Sequence, residues 1–541
     1  MKNLNFAWLF SAILATSLIL IPIFVIIAHL PSIDADTLAH LGRFVLPRYI
    51  FGSAVIVFGV LVLTLILGIS TAYLIAFYDF FGRKFFEIAL ILPLAIPAYI
   101  MGFAWVSLCE FEGVIPTLFG IQSRIDIMNP LGAIVILAFA LYPYIYFFVK
   151  NNFAHNLGTI LLASQSLSAS NARIFWRVVL PFCRIGILGA SLLVMMETLS
   201  EYGLVAHFGV DTFSAGIFRT WLGGGDKNSG IALSAVLVLF VFVLLSVESY
   251  QRKSRSYAQS AFLPTPRQKL RKFKGAFAFL WCAVVLFFAF VVPFAWLLYW
   301  GFYDIANSFP KFTSAMVYSL LMSLTSAFAI VGIAYFLCFV ARLGGGRCAK
   351  IILKLASLGY AIPGAVVAIG ILLFLGFINA QILNPLNIAY ALGGGFLVLF
   401  FGYLVRFLAS GIFALDSAFA KIPRTFDFTA LSLKAPPLRI FTKIHFPLIK
   451  SSLALAFVIV AIDILKELPI STILASSGYQ TLAAAAFGYS ENEQIYDAAL
   501  PSLLIVLFAL IPTLLMHFLD NSNRIIQTGG RNEGVRNQKS K

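Results

Sequence analysis

Four carboxylates stand where a membrane-embedded chain tolerates them least. Glu197 and Glu201 lie four residues apart, hence on one helix face, near the end of an apolar run that starts at Pro181. Asp463 and Glu467 repeat that spacing in the run that starts at Pro447. The offset between the pairs is 266 positions, the same as between the two prolines. Ionisable residues inside transmembrane runs are costly and point to function. Two equivalent helices would carry four carboxylates toward a shared axis, and oxygen-rich clusters suit hard cations. The alternative is a set of interfacial helix-end residues, with Lys466 neutralising a neighbour.

Other chemistry is scarce. The six histidines show no ligand spacing, and His207 and His445 read as solvated loop residues. Five cysteines, Cys109, Cys183, Cys282, Cys338 and Cys348, form no CxxC pair, so neither a disulfide framework nor a zinc site is indicated. Gly223–Gly225 and Gly344–Gly346 do not fit the phosphate-binding loop pattern and read as turns. With no catalytic constellation either, the chain is expected to bind no cofactor and to be no enzyme.

The elements that must position the carboxylates are membrane helices. The chain of 541 residues is 61% hydrophobic and 11% charged, where a soluble domain has about a quarter of its residues charged. Apolar windows long enough to span a bilayer fall at 9–28, 50–77, 86–108, 131–149, 180–200 and 230–248. Six more fall at 276–300, 316–341, 350–376, 389–414, 447–466 and 499–518. The expected fold is all-α and polytopic, with about twelve transmembrane helices in two parallel-repeat halves of six. The halves are 1–250 and 276–520, joined by a basic linker at 251–275 and followed by a basic tail at 521–541. The first window is too long for a secretory signal, and Ala28-His29-Leu30 is a poor cleavage context, so it reads as a retained anchor.

Lys and Arg concentrate in alternate connections: Arg83-Lys84; Lys150 with Arg173 and Arg177; Arg342, Arg347 and Lys350; then Arg406, Lys421, Arg424, Lys434, Arg439 and Lys443. The linker carries eight basic residues between Arg252 and Lys274 and no acid. The positive-inside rule then places both termini, the linker and these connections in the cytoplasm. The net charge of +16 follows from topology, and a nucleic-acid partner is not indicated.

One of those connections occurs twice. Residues 162–181 and 428–447 share the 266 offset, with Ser166 on Ser432, Leu167 on Leu433, Ala169 on Ala435 and Arg173-Ile174-Phe175 on Arg439-Ile440-Phe441. Each copy ends in a proline before a long apolar run and is expected to form a short surface helix, the proline opening the membrane helix after it. Ala95-Ile96-Pro97 repeats as Ala361-Ile362-Pro363 and should kink or interrupt a span, freeing backbone groups that a cavity or neighbour must satisfy.

The doubled stretch resembles the EAA loop of bacterial ABC-importer permeases, E-A-A-x3-G-x9-I-x-L-P. Leu162 and Phe428 stand at the Glu position, and Ser168 and Lys434 at the Gly position, with the spacing to Pro181 and Pro447 kept. The resemblance implies that Ser168, Ala169, Arg173, Phe175 and Pro181, with Lys434, Ala435, Arg439, Phe441 and Pro447, form coupling helices on a separate ATPase subunit, a homodimer that binds the ATP. Within that family the chain is similar to fused ferric-iron permeases, through Leu92–Tyr99, Met196–Gly203, Phe208–Trp221, Tyr360–Gly364 and Ala498–Pro501. That likeness implies a bacterial inner-membrane location, a periplasmic iron-binding protein as outer partner, and Fe(III) passing Glu197, Glu201, Asp463 and Glu467. Fused thiamine permeases are similar as well. A secondary transporter driven by an ion gradient would have no reason to repeat an EAA-like loop.

Overall fold

In the computed structural model, described residues are 6–111, 113–156, 164, 170–253, 267–303, 305–344, 346–385, 395–475, 479–494 and 496–511. These are overwhelmingly helical. Among them, ten helices are long and apolar enough to cross a membrane, or eleven when the bent pair Phe175–Arg184 and Gly186–Ser200 counts as one span. The twelfth window, 499–518, is described only as the helix Ala499–Ile511. Among the described residues the one sheet is a parallel pairing of Tyr78-Asp79 with Gln268-Lys269, which ties the end of the basic linker to the first half.

Two expected spans are broken, and at the residues expected to break them. In the first half the chain runs Arg83–Ala89, a tight turn at Leu92–Ala95, then Ala98–Cys109. In the second it runs Arg347–Ala356, Ser357–Ala361, then Gly364–Ile378. Ile96 (φ −97°, ψ 112°) and Ile362 (φ −91°, ψ 127°) are both extended, because a proline pushes its predecessor out of the helical region. Pro97 and Pro363 then start new helices with nearly identical angles. The repeat seen in sequence is thus a repeat in backbone geometry.

The prolines that close the doubled loop behave otherwise. Pro447 lies inside a continuous helical run, Pro437–Leu465, and the wide, π-type turn Ile440–His445 precedes it. The wide turn Phe175–Val179 precedes Pro181 at the equivalent place. A proline inside a helix lacks an N–H and collides with the carbonyl four residues back. A wide turn shifts that carbonyl. The prolines thus stand in the first turn of Leu180–Ser200 and Phe446–Leu465, as expected, with a wide turn extending the helical run ahead of each.

The sequence halves are not independent packing units. The first helix, Phe6–His29, lies on the second half: Trp8 packs against Phe336, Phe339 and Phe441. Reciprocally, the first span of the second half, Phe273–Tyr303, lies on the first half. There Phe279 meets Phe81 and Phe86. Trp281 Nε1 donates to Ser70 Oγ at 3.0 Å, and Trp296 Nε1 to Ser107 Oγ at 3.1 Å. In each case a first span leaves its own repeat for the other. Burying an indole N–H in a bilayer demands such a partner.

Close approach at the first of these exchanges depends on Gly370, where an added Cβ would collide with the Pro22 carbonyl. Gly376, six residues further along the same helix Gly364–Ile378, has nothing within 4 Å of an added Cβ. Gly370→Ala should lower thermal stability in detergent by about 1–3 kcal/mol. Gly376→Ala should leave it unchanged or raise it by up to about 1 kcal/mol. Equal behaviour of the two variants would show that the first helix does not sit on the second half.

Candidate functional site

The carboxylates predicted to act together are together. Glu197 occupies the last turn of Leu180–Ser200, with Glu201 just beyond it. Asp463 occupies the last turn of Phe446–Leu465, with Glu467 two residues past its end. All four line one cavity of about 130 Å³ between the halves. Glu197 and Asp463 stand 16 residues beyond their prolines, about 24 Å along a helix at 1.5 Å per residue. The cavity therefore lies most of a bilayer's depth from the doubled loop.

The two halves present their carboxylates with the same local geometry. Glu201 Oε1 accepts the Leu204 N–H at 3.0 Å, and Glu467 Oε1 accepts the Ile470 N–H at 3.2 Å. Leu204 and Ile470 are themselves repeat mates at the 266 offset. Each carboxylate thereby serves the exposed N–H groups at the start of a short helix, Gly203–His207 or Pro469–Leu474.

The cations are not symmetric. Arg406, inside the apolar helix Phe396–Ala420, is buried with Glu467, its Nε 3.2 Å from Oε2. Its Nη1 donates to the Ile362 carbonyl at 3.2 Å. Lys466 Nζ donates to the Leu94 carbonyl across the two halves. Both carbonyls belong to the broken spans. Lys466 thus serves backbone as well as standing among the carboxylates. Arg406, read from sequence as a loop charge, belongs to the cavity. The signal that could have placed it was its isolation inside an apolar run whose first-half mate is Ala140.

Among the described residues, no three His, Cys, Asp or Glu side chains form a group that could hold a metal ion. The four carboxylates therefore line the cavity without forming a closed chelate among the described residues. The histidine expectations fail. His445 is fully buried in the wide turn Ile440–His445, with Nε2 2.7 Å from Asp427 Oδ1. His207 packs edge-on against Phe103.

The second doubled loop is described in full; in the first, Ser168 and Ala169 lie outside the described residues. Its surface helix is Arg424–Ser432. Asp427 on that helix receives Arg342 Nε at 2.7 Å as well as His445. Burial alone would raise the Asp427 carboxyl. The hydrogen bonds from His445 and Arg342 outweigh it and hold the group below the usual carboxylate range. Its stabilising contribution is therefore complete above the unfolded-state value and is lost only as pH falls through the lowered one. Arg342 also donates to the Phe419 and Ile422 carbonyls, so one guanidinium ties the surface helix to the end of a membrane helix. In the first half, Glu87 does comparable work with Arg83 at 2.9 Å and Lys150 at 3.7 Å.

The residues expected to face an ATPase divide in two. Phe441 stacks on Tyr335 at 4.2 Å and meets Phe339 and Trp8, while Phe175 meets Tyr73 at 5.0 Å. Both face the bundle, because the wide turns rotate them inward. Ala435 also packs against the core. Arg173, Pro181, Lys434, Arg439 and Pro447 are exposed. The surface that sequence reasoning missed is apolar: Leu433 and Leu438 are 77% and 61% exposed beside Lys434 and Arg439.

Lys434 has φ +54°, the left-handed conformation that ends a helix and that glycine adopts without cost. That accounts for the glycine expected at this position in the EAA pattern. Lys434→Gly should stabilise the chain by up to about 1 kcal/mol, and Lys434→Val should destabilise it by about 1–2 kcal/mol. Thermal melts of the purified chain check both, and the reverse order would place this residue outside the left-handed region.

Comparison with known proteins bears on the same geometry. Residues 338–525 match the family model described as binding-protein-dependent transport system inner membrane component. The Fe(3+)-transport system permease protein FbpB 2 of Haemophilus influenzae is 27% identical over 458 residues, 83% of this chain and 85% of that protein. The ferric transport system permease protein FbpB of Actinobacillus pleuropneumoniae is 23% identical over 404 residues, 68% of this chain and 56% of its own length. The molybdate/tungstate transport system permease protein WtpB of Methanocaldococcus jannaschii is 27% identical over 187 residues, 34% of this chain and 74% of its own. The matched segment contains the second doubled loop, Arg406, Asp463 and Glu467. Residues 338–525 of this chain are thus similar to the inner membrane components of binding-protein-dependent transport systems, and most of the chain is similar to a ferric-iron permease.

Proposed function

We propose that the chain is the membrane subunit of an ATP-binding-cassette importer that carries Fe(III) into the cytoplasm. The observation that carries this reading is the meeting of Glu197, Glu201, Asp463 and Glu467, from two repeat-related helices, in one cavity between the halves. Hard cations take oxygen ligands, and the two ferric relatives align along most of this chain. A separate ATPase, acting as a homodimer, supplies the energy on the side of the doubled loops. There the exposed Leu433, Lys434, Leu438 and Arg439 make the contact. A periplasmic binding protein delivers the ion at the opposite face. Both termini and the basic linker lie in the cytoplasm, following the Lys and Arg distribution, and the membrane is the bacterial inner membrane.

A second reading has one observation in its favour. Arg406 and Lys466 line the same cavity, and cations suit an oxyanion such as the molybdate or tungstate named for a shorter relative. Four carboxylates against two cations favour the ferric reading.

Uptake of labelled ferric iron by cells lacking the gene, with and without its restoration, tests the substrate. The double variant Glu197→Gln/Asp463→Asn should take up at least about tenfold less iron than the wild type at equal expression; wild-type uptake would remove both from the path. The docking surface needs separate substitutions. Leu433→Asp with Leu438→Asp should abolish ATP-driven uptake while the chain stays folded, since both side chains are exposed. Phe441→Asp should instead lower stability, since that ring is packed. ATP-driven uptake that persists in the leucine variant would place the ATPase elsewhere.

A further inference from the structure

The cavity breaks its own symmetry at one place, and the break is built from more than one residue. The repeat mate of Arg406 is Ala140, and the mate of Gly364 is Ala98. A Cβ on Gly364 would collide with Glu467 Oε1 and fall 3.0 Å from Arg406 Nη1. The second half therefore has a guanidinium together with the space to seat it, where the first half has two methyl groups. Glu201, the mate of Glu467, lines the same cavity with Ala140 in place of the arginine.

We propose that Arg406 is the specificity-determining residue of this cavity. Its guanidinium is a resident counter-cation on Glu467, and a cargo cation reaches that carboxylate only by displacing it. The inference rests on the reading of this cavity as a cation path.

Three physical points support it. Arginine is a fixed cation, so the carboxylate is vacated only by displacement. A tethered cation competes at high effective concentration, which excludes singly charged ions from solution. Coulomb attraction scales with charge, so a trivalent ion can displace the guanidinium where a monovalent one cannot. The displaced arginine is not stranded, because the Ile362 carbonyl remains as an acceptor 3.2 Å from Nη1. The resting cavity then has no closed metal group among the described residues because its second-half carboxylate is already engaged.

The test uses the full chain in lipid nanodiscs with Tb(III), a hard trivalent probe whose luminescence Tyr144 and Tyr202 at the cavity wall would sensitise. Arg406→Gln should bind Tb(III) about tenfold or more tightly than the wild type, and excess Mg²⁺ should begin to compete. Adding Glu467→Gln should erase the gain. Gly364→Ala, which crowds the ion pair without changing charge, should shift affinity in the same direction and covers the case in which Arg406→Gln does not fold. Tb(III) affinity that is unchanged or weaker in the folded variants overturns the proposal. So does molybdate binding that is lost with Arg406 while no Tb(III) signal depends on Glu467, since Arg406 is then an anion ligand. The substrate reading fails separately: absent ferric uptake by the intact transporter, with the Arg406 effect on Tb(III) preserved, removes iron and leaves the counter-cation role standing.

Discussion

A helix broken inside a bilayer leaves carbonyl and amide groups that no water can satisfy, and the rest of this structure is arranged around those groups. The Ile96-Pro97 and Ile362-Pro363 breaks free backbone on both sides of the cavity. Tyr142 Oη and Tyr146 Oη donate to the Leu90 and Glu87 carbonyls, each at 3.0 Å. Lys466 serves Leu94, and Arg406 serves Ile362. The helix ends at Glu201 and Glu467 are closed by their own carboxylates. Charged side chains are thus drawn into the membrane by backbone need, and Glu201, Glu467, Arg406 and Lys466 line one cavity. Structure and chemistry share the same residues.

That economy explains why the two halves agree in some respects and differ in others. Backbone breaks, wide turns and carboxylates recur at a constant offset, since both halves must build the same cavity wall. Cations and ion-pair knots do not recur. Arg342, Asp427 and His445 secure the surface helix of the second half, while Arg83, Glu87 and Lys150 join Arg83–Ala89 to Pro130–Asn156 in the first. The exchange of first spans then makes each half depend on the other for its packing. In the second half these ion pairs join the surface helix to the membrane helices beside it.

Much of this was legible in the chain. Hydrophobic windows, the doubled loop, the Ala-Ile-Pro breaks and the four carboxylates are local or periodic signals, and a periodic signal survives translation into structure. What was hidden depends on long-range pairing. Arg406 looked like a loop charge because sequence shows its type but not the Glu467 carboxylate 61 residues later. His445 looked solvated for want of sight of Asp427. Phe175 and Phe441 were expected to face outward because the EAA resemblance put them on the ATPase, and the wide turns they sit in carry no local signal. The exposed Leu433 and Leu438 carried no signal at all, since an apolar residue beside a membrane helix is ordinarily part of the core or faces lipid.

Import through this cavity, as proposed, requires that it open to one side of the membrane at a time. Ser200, which lines it, replaced by cysteine in a background without the five native cysteines, reports on that requirement directly. A membrane-impermeant thiol reagent is applied from each side of oriented vesicles that contain the chain and its ATPase, with and without ATP and binding protein. The account predicts labelling from one side only in each state, with the reactive side exchanged when ATP and loaded binding protein are trapped on the complex. Simultaneous labelling from both sides, or a reactive side that never changes, would contradict it.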